Sequence, residues 1–162
     1  MCSSDLTAIG QGDTLVSPFH MALIVSAVAN DGVLMTPYFV DHIENSDGIK
    51  VSDTKAIQYK KLMESDEARI LNEYMQSVVN GGTASSLSGM GYSVAGKTGS
   101  AEYEVNGNTG SEDNFSTHSW FVGFSNMDNP ELAISVCVED ADTATITGVS
   151  VAKQVFDSYY NN

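Results

Sequence analysis

The first strong pattern in the sequence is a segment that is apolar on nearly every side, from Phe19 to Ala29. A helix of this kind is normally buried on most of its surface. Ser17 can cap such a helix, and Pro18 suits its first turn, where no backbone N–H is needed. The pattern therefore predicts a buried helix that ends before Gly32, a residue type suited to the left-handed conformation after a helix.

The next region is mixed, and it predicts a strand, a turn after which the chain can pair back, and one helix. Residues 38–43 favour a strand, residues 45–48 have the composition of a turn, and residues 49–51 can pair back. A helix from about Asp66 to Val79, with Ser65 as its cap, is predicted from a periodic stripe of apolar side chains. That stripe consists of Ala68, Leu71, Tyr74, Met75, Val78 and Val79.

The last third of the chain changes to strand patterns. Strands are predicted over residues 92–103, 119–125 and 132–138, separated by loops and turns, which is typical of an antiparallel meander. A final helix is predicted from about Thr147 to Tyr160. The fold class is therefore α+β, an antiparallel sheet with packed helices, and residues 1–162 are predicted to belong to one domain.

Composition narrows the possible partners. The chain has 162 residues, with seven Lys or Arg against 21 Asp or Glu, and a formal charge of −14. This balance argues against nucleic acid and against an anionic membrane surface, because both are bound through basic residues. No apolar run approaches the ~18 residues of a membrane span, and the start of the chain does not have the pattern of a signal peptide. Cys2 and Cys137 are too few for a disulfide framework.

One lysine stands out against this acidic background. Lys97 is the only basic residue between Arg69 and Lys153, and glycines lie close to it at positions 96 and 99. Glycines weaken a strand and often mark the close approach of a ligand or another backbone. With the hydroxyls of Thr98 and Ser100, Lys97 could hold a carboxylate, provided that the ligand docks along the strand edge as an extended peptide does. The alternative is a surface lysine.

The segment Lys97-Thr98-Gly99 resembles the Lys-Thr-Gly triad of penicillin-binding proteins and serine β-lactamases. Its flanks also resemble class B penicillin-binding proteins, in segments 8–12, 80–84 and 118–124. The resemblance extends from about Ile9 to the end of the chain. It implies the C-terminal portion of a transpeptidase domain, with part of the penicillin-binding-protein and serine β-lactamase fold.

This resemblance implies a function and a set of site residues. The parent would be a serine D,D-transpeptidase that cross-links peptidoglycan through an acyl-enzyme, on the extracytoplasmic face of the bacterial membrane. Lys97, Thr98, Gly99 and Ser100 would bind the carboxylate of a D-Ala-D-Ala stem peptide or of a β-lactam. Lys97 would also assist proton transfer, and the backbone N–H of Ser100 would donate to the oxyanion. No cofactor or metal is expected.

The family's other catalytic motifs have no convincing counterpart. The sequence contains no Ser-x-Asn, and its two Ser-x-x-Lys strings, Ser52–Lys55 and Ser150–Lys153, lie at unsuitable positions and are interpreted as accidental. The chain is therefore expected to be inactive alone and to need the N-terminal part of the parent domain as its partner. The alternatives are a non-catalytic module that binds peptide carboxylates or β-lactams, an inert truncated fragment, and a weaker relation to serine carboxypeptidases or β-lactamases.

Overall fold

A computed structural model describes residue 7 and residues 10–12, 14–104, 115–141 and 145–161, so Cys2 lies outside the described residues. A short 3-10 helix, Ser85–Leu87, follows the second α-helix. The elements in chain order are α1 Pro18–Ala29, β1 Val33–Met35, β2 His42–Glu44, β3 Lys50–Asp53, β4 Gln58–Lys61, α2 Ser65–Gly81, β5 Val94–Glu104, β6 Phe115–Ser125, β7 Ala133–Val138 and α3 Gly148–Tyr160.

The main sheet is a three-stranded antiparallel meander in the order β5-β6-β7, as predicted. Lys97 lies opposite Val122, and Gly99 lies opposite Trp120. Within the described part of the chain, β5 pairs with β6 along one side only. The strand that carries the triad is therefore an edge strand, and its outer side can meet a ligand.

Helices cover both faces of this sheet, which confirms the α+β class. On one face Phe121 packs into a buried cluster with Ala152 and Phe156 of α3. On the other face Phe124 and Ala95 pack against α1. Apolar residues at neighbouring positions of β6 therefore enter two different cores, because successive side chains of a strand point to opposite faces.

The predicted helices are present, with small differences at their ends. The hydroxyl of Ser17 caps α1 by accepting the backbone N–H of His20 at 3.2 Å. The cap of α2 is Glu64 and not Ser65, because Glu64 forms a reciprocal capping box with Glu67. The N–H of Glu64 donates to the Glu67 carboxylate at 2.8 Å, and such a box satisfies donors that the first turn leaves free. The capping box thus moves the start of α2 to Ser65.

Two separate two-stranded antiparallel sheets, β1-β4 and β2-β3, lie between α1 and α2 in the chain. As predicted, the chain pairs back after its turn, with β2 against β3. The strand predicted over residues 38–43 is displaced to His42–Glu44, and the pairing of β1 with β4 was not predicted. These strands are three or four residues long and mostly exposed, so they have no buried face to impose an alternating pattern.

Asp157 connects α3 to the segment before β5. Its carboxylate accepts hydrogen bonds from the ammonium of Lys153 at 2.8 Å and from the hydroxyl of Tyr92 at 2.7 Å. The bond from Lys153, and then that from Tyr92, hold the pKa of Asp157 below its ordinary value. A carboxyl of this kind stabilises the fold above its ordinary pKa, and the contribution disappears as pH falls.

We therefore expect the stabilising effect of Asp157 to depend on pH. The difference in free energy of unfolding between wild type and Asp157→Asn should be largest near neutral pH. It should shrink as the pH falls below about 5, where aspartate in the unfolded chain begins to protonate. Urea denaturation of both proteins across this range measures the difference. An equal difference at neutral and acidic pH would contradict the proposed charge dependence.

Candidate active site

The outer edge of β5 can be oriented from two hydrogen bonds. The backbone carbonyl of Ser100 accepts the side-chain amide of Gln11 at 2.8 Å, and that of Thr98 accepts the ammonium of Lys97 at 2.7 Å. In an antiparallel strand the N–H and C=O of one residue point to the same side, and this side alternates along the chain. The main-chain groups of Thr98 and Ser100 therefore face the open edge, whereas those of Lys97 and Gly99 face β6.

The hydroxyl of Thr98 is held by a residue outside β5. Thr83, in the turn after α2, has its Oγ1 atom 2.6 Å from Oγ1 of Thr98. This contact places the segment after α2 beside the triad. The sequence did not single out Thr83 as a site residue, although segment 80–84 belongs to the resemblance described above.

Lys97 is exposed and forms no salt bridge with a carboxylate of the described residues. Four other basic residues do form such bridges: Lys50, Lys61, Arg69 and Lys153. In a chain of net charge −14, a lysine without a carboxylate partner is well placed to receive a ligand carboxylate. Its ammonium supplies three donors, of which the carbonyl of Thr98 uses one.

Gly96 and Gly99, the two glycines near Lys97, differ in what a side chain at their positions would meet. A Cβ atom at Gly96 would lie 2.3 Å from Cζ of Phe121, so the core excludes any side chain there. A Cβ atom at Gly99 would meet only Cβ of Trp120, at 3.4 Å, which is close to ordinary contact. Packing within the described residues therefore explains Gly96, whereas Gly99 leaves space beside Lys97 that a ligand could use.

An apolar groove of about 310 Å³ opens beside Lys97. Side chains of α1, including Met21 and Ile24, form one wall, and Leu71 and Tyr74 of α2 form another. Several of these are substantially exposed, with Tyr74 at 67%. The predicted burial of α1 is therefore incomplete, since Phe19 and Ile24 are exposed at 53% and 44%.

Neither Ser-x-x-Lys string forms a catalytic pair. Ser52 lies on the exposed strand β3. The hydroxyl of Ser150 donates to the carbonyl of Thr147 and accepts its N–H, both at 2.8 Å, so it belongs to the cap of α3. The ammonium of Lys153 is bonded to Asp157. These contacts support the interpretation that both strings are accidental.

Among the described residues, no three His, Cys, Asp or Glu side chains cluster closely enough to hold a metal ion. The ring of His118 stacks on Tyr103 with centroids 4.3 Å apart, and His42 lies between Asp41 and Glu44. No helix in the described part of the chain is long and apolar enough to cross a membrane.

Comparison with known proteins identifies the family. The model of the penicillin-binding protein transpeptidase domain matches residues 2–161, so the chain belongs to this family. It is 30% identical over 153 residues to the peptidoglycan D,D-transpeptidase PbpA of Mycobacterium tuberculosis, covering 93% of this chain and 30% of that protein. It is also 30% identical over 150 residues to the stage V sporulation protein D of Bacillus subtilis, covering 92% of this chain and 23% of that protein.

Solved structures confirm the fold. The imipenem acyl-enzyme complex of penicillin-binding protein A from M. tuberculosis superposes with a TM-score of 0.77 at 25% identity, covering 95% of this chain and 33% of that one. The D,D-transpeptidase domain of a peptidoglycan glycosyltransferase from Eggerthella lenta gives 0.71 at 27% identity, covering 90% and 32%. The chain thus spans about a third or less of the length of these relatives.

Proposed function

We propose that this chain is the substrate-carboxylate-binding portion of a class B D,D-transpeptidase that cross-links peptidoglycan. The observation that carries the proposal is an exposed lysine on the edge strand β5, which has no carboxylate partner among the described residues and whose ammonium reaches the open edge at the carbonyl of Thr98. Its ligand would be the terminal carboxylate of a D-Ala-D-Ala stem peptide, or the carboxylate of a β-lactam. One of the similar proteins, PbpA of M. tuberculosis, is named as a peptidoglycan D,D-transpeptidase, which supports a site of action at the cell envelope, outside the cytoplasmic membrane.

The residues of the edge have separate roles in this proposal. The ammonium of Lys97 and the hydroxyls of Thr98 and Ser100 bind the carboxylate, and Gly99 leaves room for the ligand. The outward N–H of Ser100 donates to the oxyanion that forms during acyl transfer; removing such a donor typically costs about 10²–10³ in rate. Lys97 also takes part in proton transfer. No step needs a cofactor.

The attacking serine is proposed to lie in the part of the parent domain that this sequence does not include. The absence of Ser-x-Asn from the sequence and the cap contacts of Ser150 support this assignment. The apolar groove beside Lys97 is where we expect the missing part to pack, because large exposed apolar patches usually mark interaction surfaces. Similar structures of penicillin-binding protein A are acyl-enzyme complexes with imipenem and penicillin G, which supports a β-lactam as ligand.

Binding of acetyl-D-Ala-D-Ala to the chain tests the proposal, with the methyl ester of the same peptide as control. Both are titrated into ¹⁵N-labelled protein and followed by NMR. We expect shifts around residues 97–100 with the free acid only, because the ester lacks the charge that Lys97 receives. Equal binding of acid and ester would exclude a carboxylate site.

Two further results separate the rival functions. No binding of either peptide would favour an inert fragment. Covalent labelling by a fluorescent penicillin that is lost in Ser150→Ala would show that the chain carries its own nucleophile. We expect no such labelling.

A further inference from the structure

Both outward carbonyls of the triad edge are already hydrogen-bonded to side chains. Lys97 donates to the carbonyl of Thr98, and Gln11 donates to that of Ser100. The outward N–H groups of Thr98 and Ser100 have no side-chain acceptor among the described residues. With both carbonyls occupied, the edge offers a ligand mainly hydrogen-bond donors. It therefore suits a group that accepts hydrogen bonds, such as a carboxylate or an oxyanion, better than a complete peptide strand.

The loop that carries Gln11 is shaped to reach this edge. Gly10 and Gly12, on either side of Gln11, both have positive φ angles, of 80° and 88°. A Cβ atom at Gly10 would meet no atom of the described residues within 4 Å, so the positive backbone angle is the observed reason that favours glycine there. The hydroxyls of Thr7 and Thr14, which lie on either side of Gln11 in the sequence, are 3.2 Å apart. Within this segment, Gln11 donates its side-chain amide to the carbonyl of Ser100, which is 89 residues away in the sequence.

We propose that Gln11 is a specificity-determining residue that occupies the carbonyl of Ser100 and competes with N–H groups of the ligand. An extended peptide that adds to β5 must donate an N–H to an outward carbonyl as well as accept from an outward N–H. A carbonyl has two lone pairs, but a second donor would have to enter beside the Gln11 amide. Ligand N–H groups at this position therefore displace Gln11, whereas carboxylate oxygens do not.

This inference rests on the proposed function, because it concerns a ligand of the same strand edge. It is tested with acetyl-D-Ala-D-Ala and with its analogue methylated on both amide nitrogens, which keeps the carboxylate and has no N–H. Both are titrated into wild type, Gln11→Ala and Gln154→Ala. Gln154 is an exposed residue of α3 and serves as the matched control.

Removing Gln11 is expected to tighten binding of the peptide with N–H groups by roughly fivefold, the central value for one net hydrogen bond. Binding of the methylated analogue should stay within about twofold, and Gln154→Ala should change neither. Gly10→Ala, which keeps the amide but disfavours the loop conformation, should shift binding in the same direction as Gln11→Ala. Equal effects on both peptides, or weaker binding in Gln11→Ala, would overturn the inference.

Hydrogen exchange of the Gln11 side-chain amide provides a readout that does not depend on a ligand. We expect slowed exchange in the free protein and loss of this protection when the N–H peptide binds, but not when the methylated analogue binds. Exchange as fast as in free glutamine would overturn the hydrogen bond itself. A third outcome is that neither peptide binds although the Gln11 amide is protected. The hydrogen bond to Ser100 is then confirmed, but both the proposed function and the role of Gln11 in ligand choice are overturned.

Discussion

Replacing Phe121 with alanine is expected to lower the free energy of unfolding by about 3–5 kcal/mol, the usual cost of removing a buried aromatic ring. Phe121 is fully buried and packs with Phe156 and Ala152 of α3, so its ring joins the sheet to the last helix. Domains of this size are stable by only ~5–15 kcal/mol, so much of the folded population could be lost.

The ring of Phe121 packs directly against two glycines, Gly96 and Gly123, and leaves no room for a side chain at either position. A Cβ atom added at Gly96 would lie 2.3 Å from Cζ of Phe121, and one added at Gly123 would lie 2.8 Å from Cε1. Gly96→Ala alone is therefore expected to destabilise the protein by about 1–3 kcal/mol or more, through overpacking. In the double variant Gly96→Ala/Phe121→Ala the new methyl group meets no ring, so the two effects should not add.

Urea denaturation of the wild type, both single variants and the double variant measures this coupling. Phe115→Ala, in the same strand at a side chain that is 49% exposed, is the control and should cost far less than Phe121→Ala. A Phe121→Ala variant no less stable than Phe115→Ala, or strictly additive effects with Gly96→Ala, would show that the ring does not fill this space.

The helices and the main sheet could be predicted because their residues follow local patterns of apolar and polar side chains. The apolar segment before Ala29 and the stripe of α2 have helical spacing, and β5 to β7 have strand composition with turns between them. The pairing of β1 with β4 has no such signal, because exposed strands with lysines at positions 60 and 61 do not alternate between a core and solvent. The sequence predicts Ser65 as the cap of α2, but the cap is Glu64, because Glu64 forms the capping box with Glu67.

The candidate site could be predicted only as far as the triad itself. Thr83 and Gln11 reach β5 across 15 and 89 residues of sequence, so their contacts depend on how α2 and the first loop pack. From the sequence, Gly96 and Gly99 have the same interpretation, as positions that a ligand or another backbone approaches closely. The structure separates them, because a side chain at Gly96 would collide with Phe121 while Gly99 has room.

Lys97→Ala is expected to give the largest loss of ligand binding. A hydrogen bond to a charged group contributes about 1.5–3 kcal/mol, so the affinity for acetyl-D-Ala-D-Ala should fall roughly 10- to 100-fold. The loss should be greatest at low salt, because screening weakens an exposed charge interaction. Stability should change by no more than about 0.5 kcal/mol, as is usual for exposed side chains outside the core.

The control for Lys97→Ala is Lys60→Ala, which changes the net charge by the same amount. Lys60 is exposed on β4 and forms no salt bridge with the described carboxylates. If the acidic chain attracted the peptide only through the general field of its few cations, both variants would weaken binding equally. A loss confined to Lys97→Ala, with urea curves that match wild type, would instead require a direct contact at the triad. Lys97→Arg should recover part of the affinity, because it restores the charge but not the compact ammonium geometry.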